Sequence, residues 1–596
     1  MTARPLLALP ALVTVAALAA CAPPADRSAE AAQRLHDLFD REWQARLAED
    51  PLAATSVGVH DYDHLLPADG VEDLERQDGL WRGFLAELDA VDREALPEAE
   101  RINMDIFRAQ LENRVADYEF GTYQVPFNAD SGFYSGFARL GFEMPFSNAG
   151  EYENYISRLN AFPQWTAQQI ANMRLGLERG WTQPKVVLTG IEKVMETHMV
   201  DDAAESVFYE PFKEFPVGVP EGERGRLREE GKRAILESVV PTYRLLRDFM
   251  VDEYMPNARD TLGASELPNG RAYYDYRIRH FTTLPLTAEE VHQIGRDEVA
   301  RIRAEMDAVI AEVGFEGTFA EFLDFLRTDP RFYPETAEEL LKEAAWIAKT
   351  MDGKLPALFK TLPRLPYTVE PVPADIAPKY TAGRAVGAPE GSTQPGRYWV
   401  NTYALDTRPL YNLEALSLHE AVPGHHLQMA LSRELTGLPN FRRFSYLSAF
   451  GEGWGLYSEW LGLEAGFYQD PYSNFGRLTY EMWRACRLVV DTGVHAMGWT
   501  RQQVMEYLAA NTALSLHEIE TETDRYISWP AQAVSYKIGQ LKILELRRRA
   551  ERELGEHFDV RLFHDAVLSN GSIPLDVLER QIDLFIAEQK NPPARG

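Results

Sequence analysis

The chain has 596 residues, 45% hydrophobic and 26% charged, a composition that builds folded cores and excludes wholesale disorder. Lys plus Arg number 61 against 91 Asp plus Glu, a formal net charge of −30 that would repel a phosphate backbone. No basic run offsets it, so nucleic acid is excluded as a partner, and the length suits a large enzyme with two lobes around one cleft.

At the start, Arg4 precedes an apolar stretch over 6–20 that ends in Leu18-Ala19-Ala20-Cys21. This reads as an export signal over 1–21, too short for a membrane span. Its end resembles the bacterial lipobox, in which Cys21 is diacylated and becomes the mature N-terminus, anchoring the chain by lipid at the periplasmic face. Ala22 after the cysteine resembles the lipoproteins that go to the outer membrane of a Gram-negative cell; a plain cleaved signal with an incidental cysteine is the alternative. Residues 22–30 read as a tether. The only later cysteine is Cys486, so an internal disulfide is impossible, and we expect Cys486 to be a small core residue.

Helical periodicity starts next. Segments 32–48, 71–91, 99–118, 152–178 and 226–254 carry apolar residues three and four apart with charges between them, the pattern of amphipathic helices. Between them, 121–150 is rich in Gly, Phe and Tyr and reads as an ordered loop packed on the helices or lining a cleft. Further helices are expected over 288–313, 319–326 and 337–355, the first opened by Thr287 with Glu290 three residues on, a capping box. Periodicity disappears over 363–396, and Arg397-Tyr398-Trp399-Val400-Asn401-Thr402-Tyr403-Ala404 is rich in β-formers, predicting one or two strands. From 411 to 588 the chain is again helical. The expected fold is therefore mainly α and bilobed, with a small sheet beside the active-site helix, an N-terminal lobe over 31–285 and a catalytic lobe over 286–596.

Leu416-Ser417-Leu418-His419-Glu420 continues a helix, placing His419 and Glu420 side by side. In the zinc motif H-E-x-x-H the second histidine follows four residues after the first, about one turn on, so that both imidazoles face one metal. Here that position is Pro423. On an unbroken helix His425 would point roughly 120° away from His419, and His426 would lie about 10.5 Å along the axis. Pro423 removes a helical hydrogen bond and clashes with the carbonyl of residue 419, and Gly424 frees the backbone, so the helix must bulge there and return a following histidine towards the metal.

His419-Glu420-Ala421-Val422-Pro423-Gly424-His425-His426-Leu427-Gln428, then Glu452-Gly453-Trp454-Gly455-Leu456-Tyr457-Ser458-Glu459, then Arg525-Tyr526-Ile527-Ser528-Trp529-Pro530 together resemble the bacterial domain-of-unknown-function family 885. The likeness extends over most of the mature chain and includes Leu267-Pro268-Asn269-Gly270-Arg271-Ala272-Tyr273-Tyr274. That family is grouped with glutamate-ligated zinc peptidases and is similar at longer range to the helical angiotensin-converting and neurolysin-like enzymes. The resemblance implies one zinc ion per chain, held by His419, His425 and Glu452, with His426 and Glu459 as alternates; Glu459 shares a helix face with Glu452 and could instead orient an imidazole. Two imidazoles and a carboxylate leave a fourth position for water, and Glu420 would be the general base. By the same likeness Tyr526 would donate to the oxyanion with His517 as its partner; Tyr536 and Lys537 follow as further candidates. Tyr398, Val400 and Arg525 are expected to meet substrate, the strand by pairing with an extended peptide.

The expected function is zinc-dependent hydrolysis of oligopeptides by an exported, lipid-anchored enzyme. Two alternatives are a non-catalytic peptide-binding lipoprotein and a zinc hydrolase of a non-peptide amide or ester. The sequence holds no G-x-S-x-G elbow, P-loop or dinucleotide fingerprint.

Overall fold

The structure, a computed structural model, describes residues 24–374, 376–388 and 394–591. Cys21 and the export signal lie outside the described residues. Helix Pro24–Glu49 opens the described chain, so most of the expected tether is helical. The physical reason is the Ala-rich run after Pro24, which has high helix propensity, with proline at the first turn, where its missing N–H costs nothing.

The chain is mainly helical. Val71–Asp89, Glu98–Phe120 and Ala149–Arg179 follow the predicted periodicity closely. The segment read as one helix over 226–254 begins earlier, at Glu221, and contains two wider turns of π type, Ile235–Val239 and Met250–Tyr254. Helix Ala288–Glu312 carries the expected capping box, with Thr287 accepting from the Glu290 N–H. The aromatic loop over 121–150 contains short helices, Phe133–Phe137 and Leu140–Glu143. Buried side chains on both sides of position 285 belong to one hydrophobic cluster running from Leu35 to Ile586. Cys486 is fully buried within it.

Three strands form the sheet: β1 (Tyr367–Pro371), β2 (Gly383–Val386) and β3 (Gly396–Val400), in the order β1-β3-β2. β1 runs parallel to β3, pairing Tyr367 with Gly396 and Pro371 with Val400, and β2 runs antiparallel, pairing Gly383 with Val400 and Val386 with Arg397. Of the one or two strands expected, the run 397–404 supplies the central one. This corrects the reading of Tyr398 and Val400: both are buried in a strand paired on both sides, and Tyr398 shares a hydrogen bond with Ser417. β1 and β2 are the edge strands.

Against this sheet lies helix Leu413–Glu420, and beyond it helix Ser448–Ala465. The latter crosses Ser535–Leu554 at Gly453 and Gly539, where a Cβ on Gly453 would stand 2.5 Å from the Gly539 Cα. Only glycine lets the two backbones approach so closely. That crossing fixes the height at which the next residues of Ser448–Ala465 meet the His-Glu helix. No helix of the described residues is long and apolar enough to cross a membrane.

Candidate metal centre

Helix Leu413–Glu420 ends where the proline predicts, and a new helix, His425–Glu434, begins after a short bulge. A Cβ on Gly424 would fall 1.9 Å from the His419 carbonyl oxygen, so glycine is required for the chain to fold back over its own last turn. The bulge closes with the His426 N–H donating to the Ala421 carbonyl, one residue wider than a helical turn. Trp454, fully buried on the neighbouring helix, donates its indole N–H to the Pro423 carbonyl at 2.8 Å. The distortion is thereby tied to the helix that carries Glu452.

Its result is convergence. One ligand atom each from His419, His425 and Glu452 lies within 4.8 Å of the others. Glu452 Oε2 is 3.5 Å from His419 Nε2 and 3.2 Å from His425 Nε2. Donors bound tetrahedrally to zinc at about 2.0–2.1 Å stand roughly 3.3 Å apart, so the donor types and both Glu452 distances fit that ion. The alternates fall elsewhere. His426 faces away, donating to the Leu365 carbonyl at 3.1 Å and packing on Tyr367. Glu459 accepts from His419 Nδ1 at 2.7 Å, leaving Nε2 turned towards Glu452 and His425.

The seat for His419 comes from Gly455, between Glu452 and Glu459 on the same helix face, where the imidazole lies flat. Burial alone would lower the pKa of His419, but its hydrogen bonds to Glu452 and Glu459 and their charges push it up to about 9. Burial would likewise raise Glu452, but the two imidazoles hold it well below the usual carboxylate range.

Around these donors stand groups that can act on a substrate. Glu420 is half-buried, and one oxygen accepts from the Ala385 N–H of edge strand β2 at 2.8 Å. Tyr446 donates to Glu452 Oε1 at 2.9 Å. Tyr536 lies close enough to Glu452 that, after burial, this charge is the main reason its phenol is raised above its usual pKa.

Other expected site residues are not brought here. The Tyr526 hydroxyl is buried and accepts from Trp483 Nε1 and Arg487 Nε, both at 2.8 Å, because its helix turns that face into the core. His517 sits on the exposed face of the same helix, Leu516–Ser528. Arg525 is engaged by Glu522 and by Gln532. Lys537 is fully buried between Glu298 and Glu481. Sequence reasoning missed Tyr446 and Ala385 altogether. A usable signal for Tyr446 existed in Gly451, whose missing Cβ leaves room for the Tyr446 ring.

The chain belongs to the family described as bacterial protein of unknown function (DUF885), which matches residues 51–582. A crystal structure of a candidate lipoprotein from Colwellia psychrerythraea is similar to it with a TM-score of 0.88 and 28% identity, covering 94% of this chain and 100% of that one. A candidate lipoprotein of unknown function from Shewanella oneidensis has the same fold, with a TM-score of 0.65, 18% identity and coverage of 92% and 99%. No curated protein matches the chain.

Proposed function

We propose that this protein is a zinc-dependent peptidase, exported and lipid-anchored through Cys21, that hydrolyses oligopeptides. The observation that carries the reading is the convergence of His419, His425 and Glu452 beside a carboxylate, Glu420, that is not needed to hold a metal. Zinc, when bound, supplies a Lewis acid that polarises the scissile carbonyl and lowers the pKa of water. His419, His425 and Glu452 would hold it, and Glu459 fixes the tautomer and angle of His419.

An extended peptide laid along the free edge of β2 would take over the Ala385 N–H, releasing the Glu420 carboxylate to accept a proton from the attacking water. Glu420 then passes that proton to the departing amine, so that the peptide bond breaks with no net proton gain at the carboxylate. Tyr536, kept protonated at neutral pH by burial and by the Glu452 charge, is the better-placed donor to the developing oxyanion than Tyr526. Export and lipid anchoring are supported by the pattern before Cys21 and by the likeness to the Colwellia candidate lipoprotein.

The test is bound zinc together with cleavage of a mixed peptide library by the wild type and Glu420→Gln. Zinc in both proteins with cleavage only by the wild type is expected. Equal cleavage by both would refute the assignment of Glu420. Zinc binding with no cleavage by either would favour the peptide-binding lipoprotein or a non-peptide amide or ester as substrate.

A further inference from the structure

Away from the candidate metal centre, the described residues line an open pocket of about 420 Å³ to which none of the metal-centre residues contributes. It is bounded by the aromatic loop near Phe127, by Trp181 and Tyr273, and by Trp529 just after helix Leu516–Ser528. Its size lies within the roughly 300–1,000 Å³ of small-molecule sites. Two cations line it, Arg259 and Arg277, in a protein whose formal net charge is −30.

Neither cation has a carboxylate hydrogen-bonded to it. Arg259 is held rigidly by carbonyls, its Nε donating to Thr182 and its Nη1 to Gly263, both at 2.8 Å. Burial brings its pKa down to about 10, so it stays charged at neutral pH. The guanidinium of Arg277 makes no hydrogen bond among the described residues, and its Nε is buried without a partner. The carboxylate beside it, Asp117, stands 3.8 Å off, beyond hydrogen-bond reach, and already accepts from the Tyr276 hydroxyl at 3.0 Å. The guanidinium instead lies over the Phe281 ring at 4.6 Å and near Tyr273 at 5.8 Å. Some buried arginines elsewhere keep one unpartnered nitrogen but still hydrogen-bond through the others, as Arg487 does to Glu522 and Arg442 to Asn103. A guanidinium left so under-bonded in a partly buried pocket is a strong donor awaiting an anion.

We propose that this cavity binds a small carboxylate-bearing molecule with an apolar body, the carboxylate on Arg277 and the body between the aromatic walls. The planar fork of arginine matches a carboxylate, and the aromatic walls match an aromatic or branched side chain rather than a sugar. A free organic acid and the C-terminal residue of a peptide share this chemistry.

The probe is N-acetyl-L-phenylalanine, titrated calorimetrically into the full chain beside its neutral amide. The acid is expected to bind at least tenfold more tightly than the amide, and Arg277→Gln to abolish that difference. Removing metal with a chelator is expected to leave the affinity unchanged, which separates this site from the metal centre. Equal binding of acid and amide to the wild type, where no variant has to fold, would overturn the proposal. So would an acid preference that survives Arg277→Gln or vanishes on chelation. Competition by a peptide with a free C-terminus, and not by the same peptide amidated, would identify the source as a peptide end; competition by neither would identify a free acid.

Discussion

Replacing Gly455 by alanine isolates the seat of the candidate metal centre. A Cβ at 455 would stand 2.6 Å from Cε1 and 2.7 Å from Nε2 of His419. Carbon contacts are comfortable from about 3.5 Å, so the ring must retreat by roughly 0.8–0.9 Å. It is not free to do so, because Nδ1 is bound to Glu459 at 2.7 Å and the whole side chain is buried. A displacement of that size is several times the ~0.2 Å tolerance of a zinc–nitrogen bond. We expect zinc affinity to fall by at least 10–100-fold, about 1.4–2.8 kcal/mol, measured by competition against a chromogenic chelator. The overpacking itself should lower the stability of the metal-free protein by about 1–3 kcal/mol, read from its thermal transition. Gly451→Ala is the control. There the Cβ meets the ring of Tyr446 at 2.4 Å, and that ring is 50% exposed and can swing out. Gly451→Ala loses at most the Tyr446 hydrogen bond to Glu452, so metal affinity should fall less there than in Gly455→Ala. Wild-type zinc affinity in Gly455→Ala, or equal losses in both variants, would refute the reasoning.

Glu459→Ala should weaken zinc binding by about 10–100-fold while Glu459→Gln, whose amide oxygen can still accept from His419 Nδ1, weakens it less; the same chelator competition decides. Tyr536→Phe should lower kcat by about 10²–10³ with metal content unchanged, whereas Tyr526→Phe, which strips the acceptor from Trp483 and Arg487, should cost about 1–3 kcal/mol of stability, read by denaturant titration. The fully buried Asp491 is pushed up to about 7 by burial, despite hydrogen bonds from Tyr274 and the Ala531 N–H. Its folded pKa is above the unfolded value of 3.8, so the unfolded chain loses its proton first. Stability should then fall as pH rises from about 4 to 7, by up to about 4 kcal/mol, and level off above. Asp491→Asn should flatten that window in melts run against pH; an unchanged slope would contradict the assignment.

The helices were legible in the sequence because amphipathic spacing is a local signal and most of them follow it, as Ala149–Arg179 does against an expected 152–178. β1 and β2 were not, being five and four residues long inside a Pro- and Gly-rich stretch. The clustering of His419, His425 and Glu452 was expected from the family resemblance, while Pro423 and Gly424 signalled only that the helix breaks. Side-chain direction was not legible: whether His425 or His426 turns inward depends on a bulge pinned by Trp454, a residue far away in sequence. Tyr526 and Tyr536 illustrate the same limit. Spacing could not rank the two, but the Tyr526 hydroxyl is bonded to Trp483 and Arg487 in the core, while the Glu452 charge acts on Tyr536.

What replaces the regular turn of an H-E-x-x-H helix is a contact between two helices. Helix Ser448–Ala465 supplies Glu452 as a donor, Trp454 to hold the Pro423 carbonyl, Gly455 as the bed for His419, and Glu459 to fix that imidazole. Within one run of eight residues, these four act on the His419 imidazole, on His425 and on the Pro423 carbonyl. A regular helix would position its second histidine by its own hydrogen bonds; here that order is borrowed from the neighbour. The bulge therefore cannot be judged by its own sequence, and damage to the Trp454 contact should displace His425 before it displaces His419, which is held separately by Glu459. Since the same helix is set by the Gly453–Gly539 crossing, the donor geometry is fixed by packing in the second half of the chain. The first half contributes none of the three donors, and its aromatic loop instead helps to build the Arg277 cavity.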